Sequence, residues 1–92
     1  MRTYKTKNES NKLFFTNYKR IDEEEVFNEI KTILYNNPLI MIEEKKVYPA
    51  EDIYPCKILD KDFELVYDID YGGYIYSNSD EVISLLEKIL NN

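Results

Sequence analysis

One stretch of this chain, residues 63–71, alternates regularly enough to constrain the fold more than any other. Its odd positions are apolar or aromatic, and its even positions are acidic except for Val66. A period of two is that of a β-strand with one face in the core and the other in water. Gly72 and Gly73 follow, and glycine adopts positive φ angles without steric cost. We therefore expect the chain to reverse there and residues 74–76 to pair back as a hairpin.

The geometry of that turn decides which way the tyrosines of the second strand face. A two-residue turn would pair Tyr71 with Tyr74 and put Tyr74 and Tyr76 on the apolar face. A turn that contains a bulge would reverse the parity, so that Ile75 faces the core and both tyrosines join the acidic face. With either turn, we expect the hairpin tip to expose tyrosine beside aspartate.

Two amphipathic helices are predicted from apolar residues that recur at helical spacing. The first lies near residues 22–35, with Asp22 as its cap, and the second lies near residues 79–90, with Asn78 as its cap and Glu81 three residues later. One core is expected to contain Val26, Ile30, Ile33, Leu34, Leu65, Ile69, Leu85, Leu86 and Ile89.

The remaining segments give shorter signals. The apolar run 39–42 is predicted to lie in the middle of the sheet, and residues 49–55, bracketed by prolines, are predicted to form a loop. Residues 1–11 form either a frayed tail or an edge strand. The whole pattern predicts one α+β domain over residues 1–92. Its mainly antiparallel sheet has about four to six strands, with two amphipathic helices packed on one face.

Composition excludes several kinds of chemistry. The chain has no histidine, so the usual general base near neutral pH and the commonest transition-metal ligand are missing. Both glycines are assigned to one turn, which leaves none for a phosphate-binding loop. Cys56 has no activating neighbour and is interpreted as a small buried apolar residue, and a lone cysteine fits a reducing, cytoplasmic compartment. We predict no catalytic residue, no cofactor and no bound metal, and no apolar run is long enough to cross a membrane.

Charge is the most distinctive property of the composition. The net charge is −6, and residues 21–92 carry seventeen acids against six lysines. Five of these acids occupy even positions around the predicted hairpin and would form a row at intervals of about 6.6 to 6.8 Å if one strand ran through them. They are Asp60, Asp62, Glu64, Asp68 and Asp70.

The row has three possible roles. The first is the solvated face of a sheet, the second is imitation of the charge of a nucleic-acid backbone, and the third is binding of a divalent cation for phosphodiester chemistry. The cation is disfavoured because successive residues on one strand face diverge, whereas the ligands of one ion must converge.

These observations favour a small acidic cytoplasmic protein that binds and inhibits a basic, nucleic-acid-handling protein. An immunity protein, an antitoxin or a phage anti-defence factor would act in this way. Direct binding of nucleic acid is not expected, because an acidic chain repels phosphate. The alternatives are a self-associating adaptor, such as a homodimer, and, less favoured, a metal-dependent enzyme that uses carboxylates. The expected partner-binding residues are Asp60, Asp62, Glu64, Asp68, Asp70, Tyr71, Tyr74 and Tyr76.

Overall fold

The structure is a computed structural model that describes residues 3–15, 23–70 and 72–91. Within these ranges the chain forms seven strands and two helices, so the α+β class is confirmed and the strand count exceeds the expected range of about four to six. In chain order the elements are β1 (Tyr4–Thr6), β2 (Glu9–Phe14), α1 (Glu23–Tyr35), β3 (Ile40–Ile42), β4 (Lys46–Val47), β5 (Glu51–Ile58), β6 (Lys61–Asp68), β7 (Gly72–Tyr76) and α2 (Asp80–Leu90).

All strands belong to one antiparallel sheet with the order β1-β2-β7-β6-β5-β3, and β4 also pairs with β5. Both helices pack on the same face of this sheet. Their buried side chains form one core with residues of the sheet such as Leu13, Leu65 and Ile75. The molecule is therefore a two-layer sandwich, as predicted.

The apolar stripes of both helices face the core, as the sequence predicts. Phe27, Ile30 and Leu34 of α1 are buried in the core, as are four residues of α2, namely Val82, Ile83, Leu86 and Leu90. The cap of α2 is Ser79 rather than Asn78, because the Ser79 hydroxyl accepts a hydrogen bond from the Val82 N–H at 3.3 Å. The predicted cap of α1, Asp22, lies outside the described residues.

The turn between β6 and β7 uses one of the two glycines rather than both, because Gly72 takes a positive φ of 74° where the chain enters β7. Asp68 pairs with Gly72, so residues 69–71 make the connection and both glycines belong to β7. The reversal starts at Asp68, whose carboxylate accepts a hydrogen bond from the Asp70 N–H at 2.7 Å, the side-chain interaction by which Asp favours turns. Tyr71 falls within the connection and outside the described residues.

This three-residue connection sets the parity of β7. Val66 pairs with Tyr74 and Leu65 with Ile75, so Ile75 is buried in the core and Tyr74 and Tyr76 lie on the other face. The second of the two turn geometries considered above is thus the observed one. Ile69 is 69% exposed instead of buried, because β6 ends one residue before it.

Residues 49–55 were expected to form a loop, but most of them belong to strand β5. Pro55 is tolerated inside the strand because its carbonyl accepts from the Glu43 N–H at 2.8 Å, on the side where residues 43–45 bulge between β3 and β4. In an antiparallel sheet the N–H and the C=O of one residue point toward the same neighbouring strand. The N–H that proline lacks would therefore also have faced this bulge and not β6. The ladder to β6 is therefore complete across Pro55.

Strand β3 lies at an edge of the sheet rather than in its middle. It pairs with β5, and the side chain of Met41 is 66% exposed. The continuous apolar run 39–42 was misleading because Ile40 and Ile42 face the core while Leu39 and Met41 face outward.

The opposite edge is β1, so the edge-strand option for residues 1–11 is the observed one over the described part. The Asn91 side chain exchanges two hydrogen bonds of 2.8 Å with Thr3, and Lys5 lies 3.6 Å from Glu87. These contacts tie the edge strand to the C-terminal helix.

Candidate functional site

The sheet face opposite the two helices, here called the open face, is the surface on which the predicted residues come together. Its central row crosses four strands through Phe14, Tyr74, Val66 and Ile53. Phe14 and Val66 are buried on this face although both helices pack on the other one. The ring centroid of Phe14 lies 5.6 Å from those of both Tyr4 and Tyr74, so aromatic side chains provide part of the cover.

Three of the five predicted acids lie on this face, at Asp62, Glu64 and Asp68 of β6. The other two, Asp60 and Asp70, lie in the turns at the two ends of the strand. The continuous row of five therefore does not form, because β6 covers only residues 61–68.

The tyrosines of β7 complete the open face. Tyr74 pairs with Val66, and Tyr76 pairs with Glu64, which puts an aromatic ring beside the acidic strand at each position. The hydroxyl of Tyr76 donates to the Asn78 side chain at 2.6 Å, which fixes the position of its polar end. The third predicted tyrosine, Tyr71, lies outside the described residues.

A pair of carboxyl groups lies at one end of the open face. Asp68 of β6 faces Glu51 of β5 directly across the ladder, and Asp68 is only 8% exposed. Burial raises the pKa of Glu51, and a hydrogen bond to Asp68 and the negative charges of Asp68 and Glu64 raise it further, while Lys12 acts in the opposite direction. Two carboxylates that face each other across a ladder repel, so the neutral form of Glu51 is favoured more here than it is in water.

Tyr74 links this carboxyl pair to the aromatic row. Burial raises the pKa of Tyr74 to about 12, and the charges of Glu51, Asp68, Glu64 and Glu9 act in the same direction. The Lys12 ammonium lies 4.9 Å from the centre of the Tyr74 ring and 3.3 Å from Glu9. Tyr74 is therefore a neutral hydrogen-bonding group held by its neighbours.

Lysines offset part of the negative charge. Lys57 of β5 pairs with Asp62 across the ladder at 2.6 Å, and this hydrogen bond and charge raise the pKa of Lys57. Glu64, the next residue of β6 on this face, has the half-buried Pro55 and Tyr76 as its cross-strand neighbours. The open face is thus a pattern of separate charges and aromatic rings rather than a uniform negative line.

Cys56 is buried on the core side, as expected. Burial raises the pKa of its thiol to about 12, and the Sγ atom donates to the Tyr54 carbonyl at 3.2 Å. Very little thiolate, the reactive form of cysteine, is therefore present near neutral pH.

The described residues contain no group of three or more Asp, Glu or Cys side chains arranged to hold a metal ion. In the same part of the chain, neither helix combines the length and the apolar character needed to cross a membrane.

Sequence reasoning did not assign Glu51, Lys12 or Phe14 to this face. Glu51 could have been found only by extending a strand through Pro55, which pairs it with Asp68. Lys12 and Phe14 alternate with the buried Leu13, and this alternation was present in the sequence but too short to assign to a face.

This surface presents acidic groups at fixed positions on a sheet, with tyrosine rings beside them. Such an arrangement can bind cationic side chains by charge and by contact with aromatic rings. No protein-family model, curated protein or solved structure significantly matches this chain.

Proposed function

We propose that this chain is a small cytoplasmic binding protein that inhibits a larger, basic, nucleic-acid-handling protein, as an immunity protein, an antitoxin or a phage anti-defence factor does. The observation that carries the proposal is the composition of the open face. It combines Glu64 and the Glu51–Asp68 pair with Tyr74 and Tyr76 on one rigid sheet. Tyrosine is enriched at binding hot spots, and negative charge attracts a basic partner and speeds its association.

Charge also favours a protein partner over nucleic acid. The acids of the open face repel phosphate, and the Lys12 ammonium lies over the Tyr74 ring, where a base would otherwise stack. Imitation of a duplex is less well supported than discrete ion pairs. Duplex DNA carries a charge about every 1.7 Å of its axis, whereas Val66 interrupts the acids of β6 and Lys57 neutralises Asp62.

The test is capture of the partner from a lysate of the organism that encodes the chain, followed by mass spectrometry. Wild-type protein is compared with Glu64→Lys on the open face and with Glu24→Lys on the exposed part of α1, which makes the same charge change elsewhere. We expect wild type and Glu24→Lys to retain one basic protein that Glu64→Lys loses. The purified partner should lose its nucleic-acid activity when the wild-type chain is added. Equal retention by all three proteins would contradict the proposal.

A second candidate function, self-association, is favoured by the edge strand β3: Met41 within the strand and Leu39 just before it are exposed. Such an edge can pair with a second copy of the chain. The bulge at residues 43–45 and its charges act against this pairing, because bulges and charged residues are the usual protection of sheet edges. Light scattering would decide: a dimer of the wild type that Met41→Lys dissociates would support this candidate.

A further inference from the structure

A second surface lies at the end of the sheet where two connections meet. We call it the loop end and define it as residues 47–52 together with residues 67–70. Three large apolar side chains are exposed there: Val47 (70%), Tyr48 (48%) and Ile69. Single exposed apolar residues are ordinary, but a cluster of them commonly marks a binding site.

The backbone holds the two connections of the loop end together. The Ile69 N–H donates to the Ala50 carbonyl at 3.0 Å, and the Tyr48 N–H donates to the Glu51 carbonyl at 2.8 Å. Val47 pairs with Asp52, which in turn pairs with Tyr67. The exposed side chains are thus attached to a hydrogen-bonded framework, which lowers the entropy that a partner must remove on binding.

An open cavity of about 430 Å³ lies between the side chains of Tyr48 and Ile69. Tyr48, Pro49 and Ile69 form its apolar part, and Tyr67 lies on its inner side. The ring of Tyr67 stacks on the buried Phe27 with 4.8 Å between centroids, so the inner side is fixed by the core. The cavity can receive a large side chain of another protein, as anchor residues of interfaces do.

The charges around this cavity select the kind of partner. Glu51 and Asp52 line it, and Lys45 lies 3.9 Å from Asp52 and offsets part of its charge. An apolar cavity with a negative rim complements an apolar side chain flanked by cationic ones.

We propose that the loop end is the anchoring site of the interaction: an apolar side chain of the basic partner enters the cavity between Tyr48 and Ile69, and flanking arginine or lysine residues face Glu51 and Asp52. This inference rests on the proposed function for the charge of the partner. It adds the segment that the partner presents, an apolar residue within a basic stretch, and assigns the open face to the surrounding contacts.

The test is a nuclear magnetic resonance titration of the whole chain with synthetic peptides. One peptide has a central leucine flanked on each side by two arginines, and its matched control has serine in place of leucine. We expect the leucine peptide to shift the amide signals of Tyr48, Ala50 and Ile69 and to bind about tenfold more tightly than the serine peptide, because a buried leucine side chain contributes on this scale.

Two variants separate the loop end from other apolar positions. Ile69→Asn should remove the preference for leucine, whereas Leu39→Asn, at the exposed edge beside β3, should leave it unchanged. The amide spectrum of each variant reports whether it is folded.

The outcomes separate this inference from the proposed function. Equal binding of both peptides, with shifts at Glu64 and Tyr76 instead, would overturn the anchoring site and leave the open face as the site for a basic partner. Absence of any shift with either peptide would overturn the anchoring site and also remove the affinity for basic segments on which the proposed function depends.

Discussion

At the scale of single residues, Gly73 shows how a distant contact can require glycine. A Cβ atom at this position would lie 2.8 Å from Cζ of Phe15 and closer still to Cε2. We predict that Gly73→Ala lowers the free energy of unfolding by about 1 to 3 kcal/mol, because the buried ring has to move. Urea denaturation measures the change.

The control for this prediction removes the Phe15 ring that the new methyl group would meet. In a Phe15→Leu background the added methyl group meets a smaller side chain, so Gly73→Ala should cost less than it does in the wild type. An equal cost in both backgrounds would show that the overlap with Phe15 is not the cause.

Leu59 is a position where glycine or asparagine would fit better than the residue present, because its backbone takes a conformation that leucine disfavours. Leu59 and Asp60 connect β5 to β6 with φ angles of 50° and 68°, as in a type I′ turn, which favours Asn or Gly. We predict that Leu59→Asn raises the free energy of unfolding by about 1 kcal/mol, since Asn tolerates positive φ and the exposed leucine side chain loses little burial. Thermal unfolding should show a higher midpoint.

Leu39→Asn is the matched control for Leu59→Asn. It also replaces an exposed leucine, and no positive φ angle is found at residue 39. A similar gain in the control would mean that loss of surface leucine, and not relief of the turn, explains the effect.

At the scale of elements, the pairing of β5 with β6 brings two carboxyl groups together and makes stability depend on pH. The pKa of Glu51 is raised above its ordinary value of 4.5 by burial and by Asp68. At pH values between the ordinary pKa and the raised one, the folded protein therefore binds more protons than the unfolded chain. The free energy of unfolding should therefore fall as the pH rises through this window.

Glu51→Gln tests this dependence, because glutamine cannot ionise and can still donate to Asp68. We predict that the stability of the variant relative to wild type increases as the pH rises from 4 to 7, measured by urea denaturation at each pH. Glu44→Gln at the exposed edge is the matched control for loss of one carboxylate. A difference between Glu51→Gln and wild type that stays constant with pH would contradict the raised pKa of Glu51.

The second helix makes a simpler prediction. Leu86 of α2 is fully buried in the core, so Leu86→Ala should lower the free energy of unfolding by about 2 to 5 kcal/mol. Leu39→Ala, at an exposed position, should cost much less. An unchanged denaturation midpoint for Leu86→Ala would contradict the assignment of this face of the helix to the core.

Elements differ in how far the sequence predicts them. The helices and the first strand of the hairpin were predictable, because each carries its own periodicity over several residues. The turn was predictable only in part: Gly72 takes the expected positive φ, but the Asp68 side chain starts the reversal, and Phe15, far away in the chain, explains why Gly73 is glycine. Strand β5 was missed because the missing N–H of Pro55 is harmless only opposite the bulge at residues 43–45.

At the scale of the whole molecule, the candidate site was predictable only in part. Alternation along β6 identified Asp62, Glu64 and Asp68 as neighbours on one face, and the parity of Tyr74 and Tyr76 was reduced to two options. The Glu51–Asp68 pair and the cavity at the loop end depend on the register between strands, which local sequence does not encode.

The whole molecule also decides which substitution tests the open face cleanly. Asp68 is buried and accepts the Asp70 N–H, so reversing its charge would damage the turn. Glu64 is half-buried in the middle of β6 and can be reversed with less effect on the fold. Tyr76, its cross-strand neighbour, is the aromatic residue to truncate.

The most direct measurement is therefore surface-plasmon kinetics against the captured partner at several salt concentrations, on proteins shown to be folded. Salt shortens the screening length from about 10 Å at 0.1 M to about 3 Å at 1 M, so association of the wild type should slow as salt rises. Glu64→Lys should slow association more than it speeds dissociation, Tyr76→Ala should mainly speed dissociation, and Glu24→Lys should do less than Glu64→Lys. An association rate that changes neither with salt nor with Glu64→Lys would contradict the account and leave the open face as an ordinary solvated sheet surface.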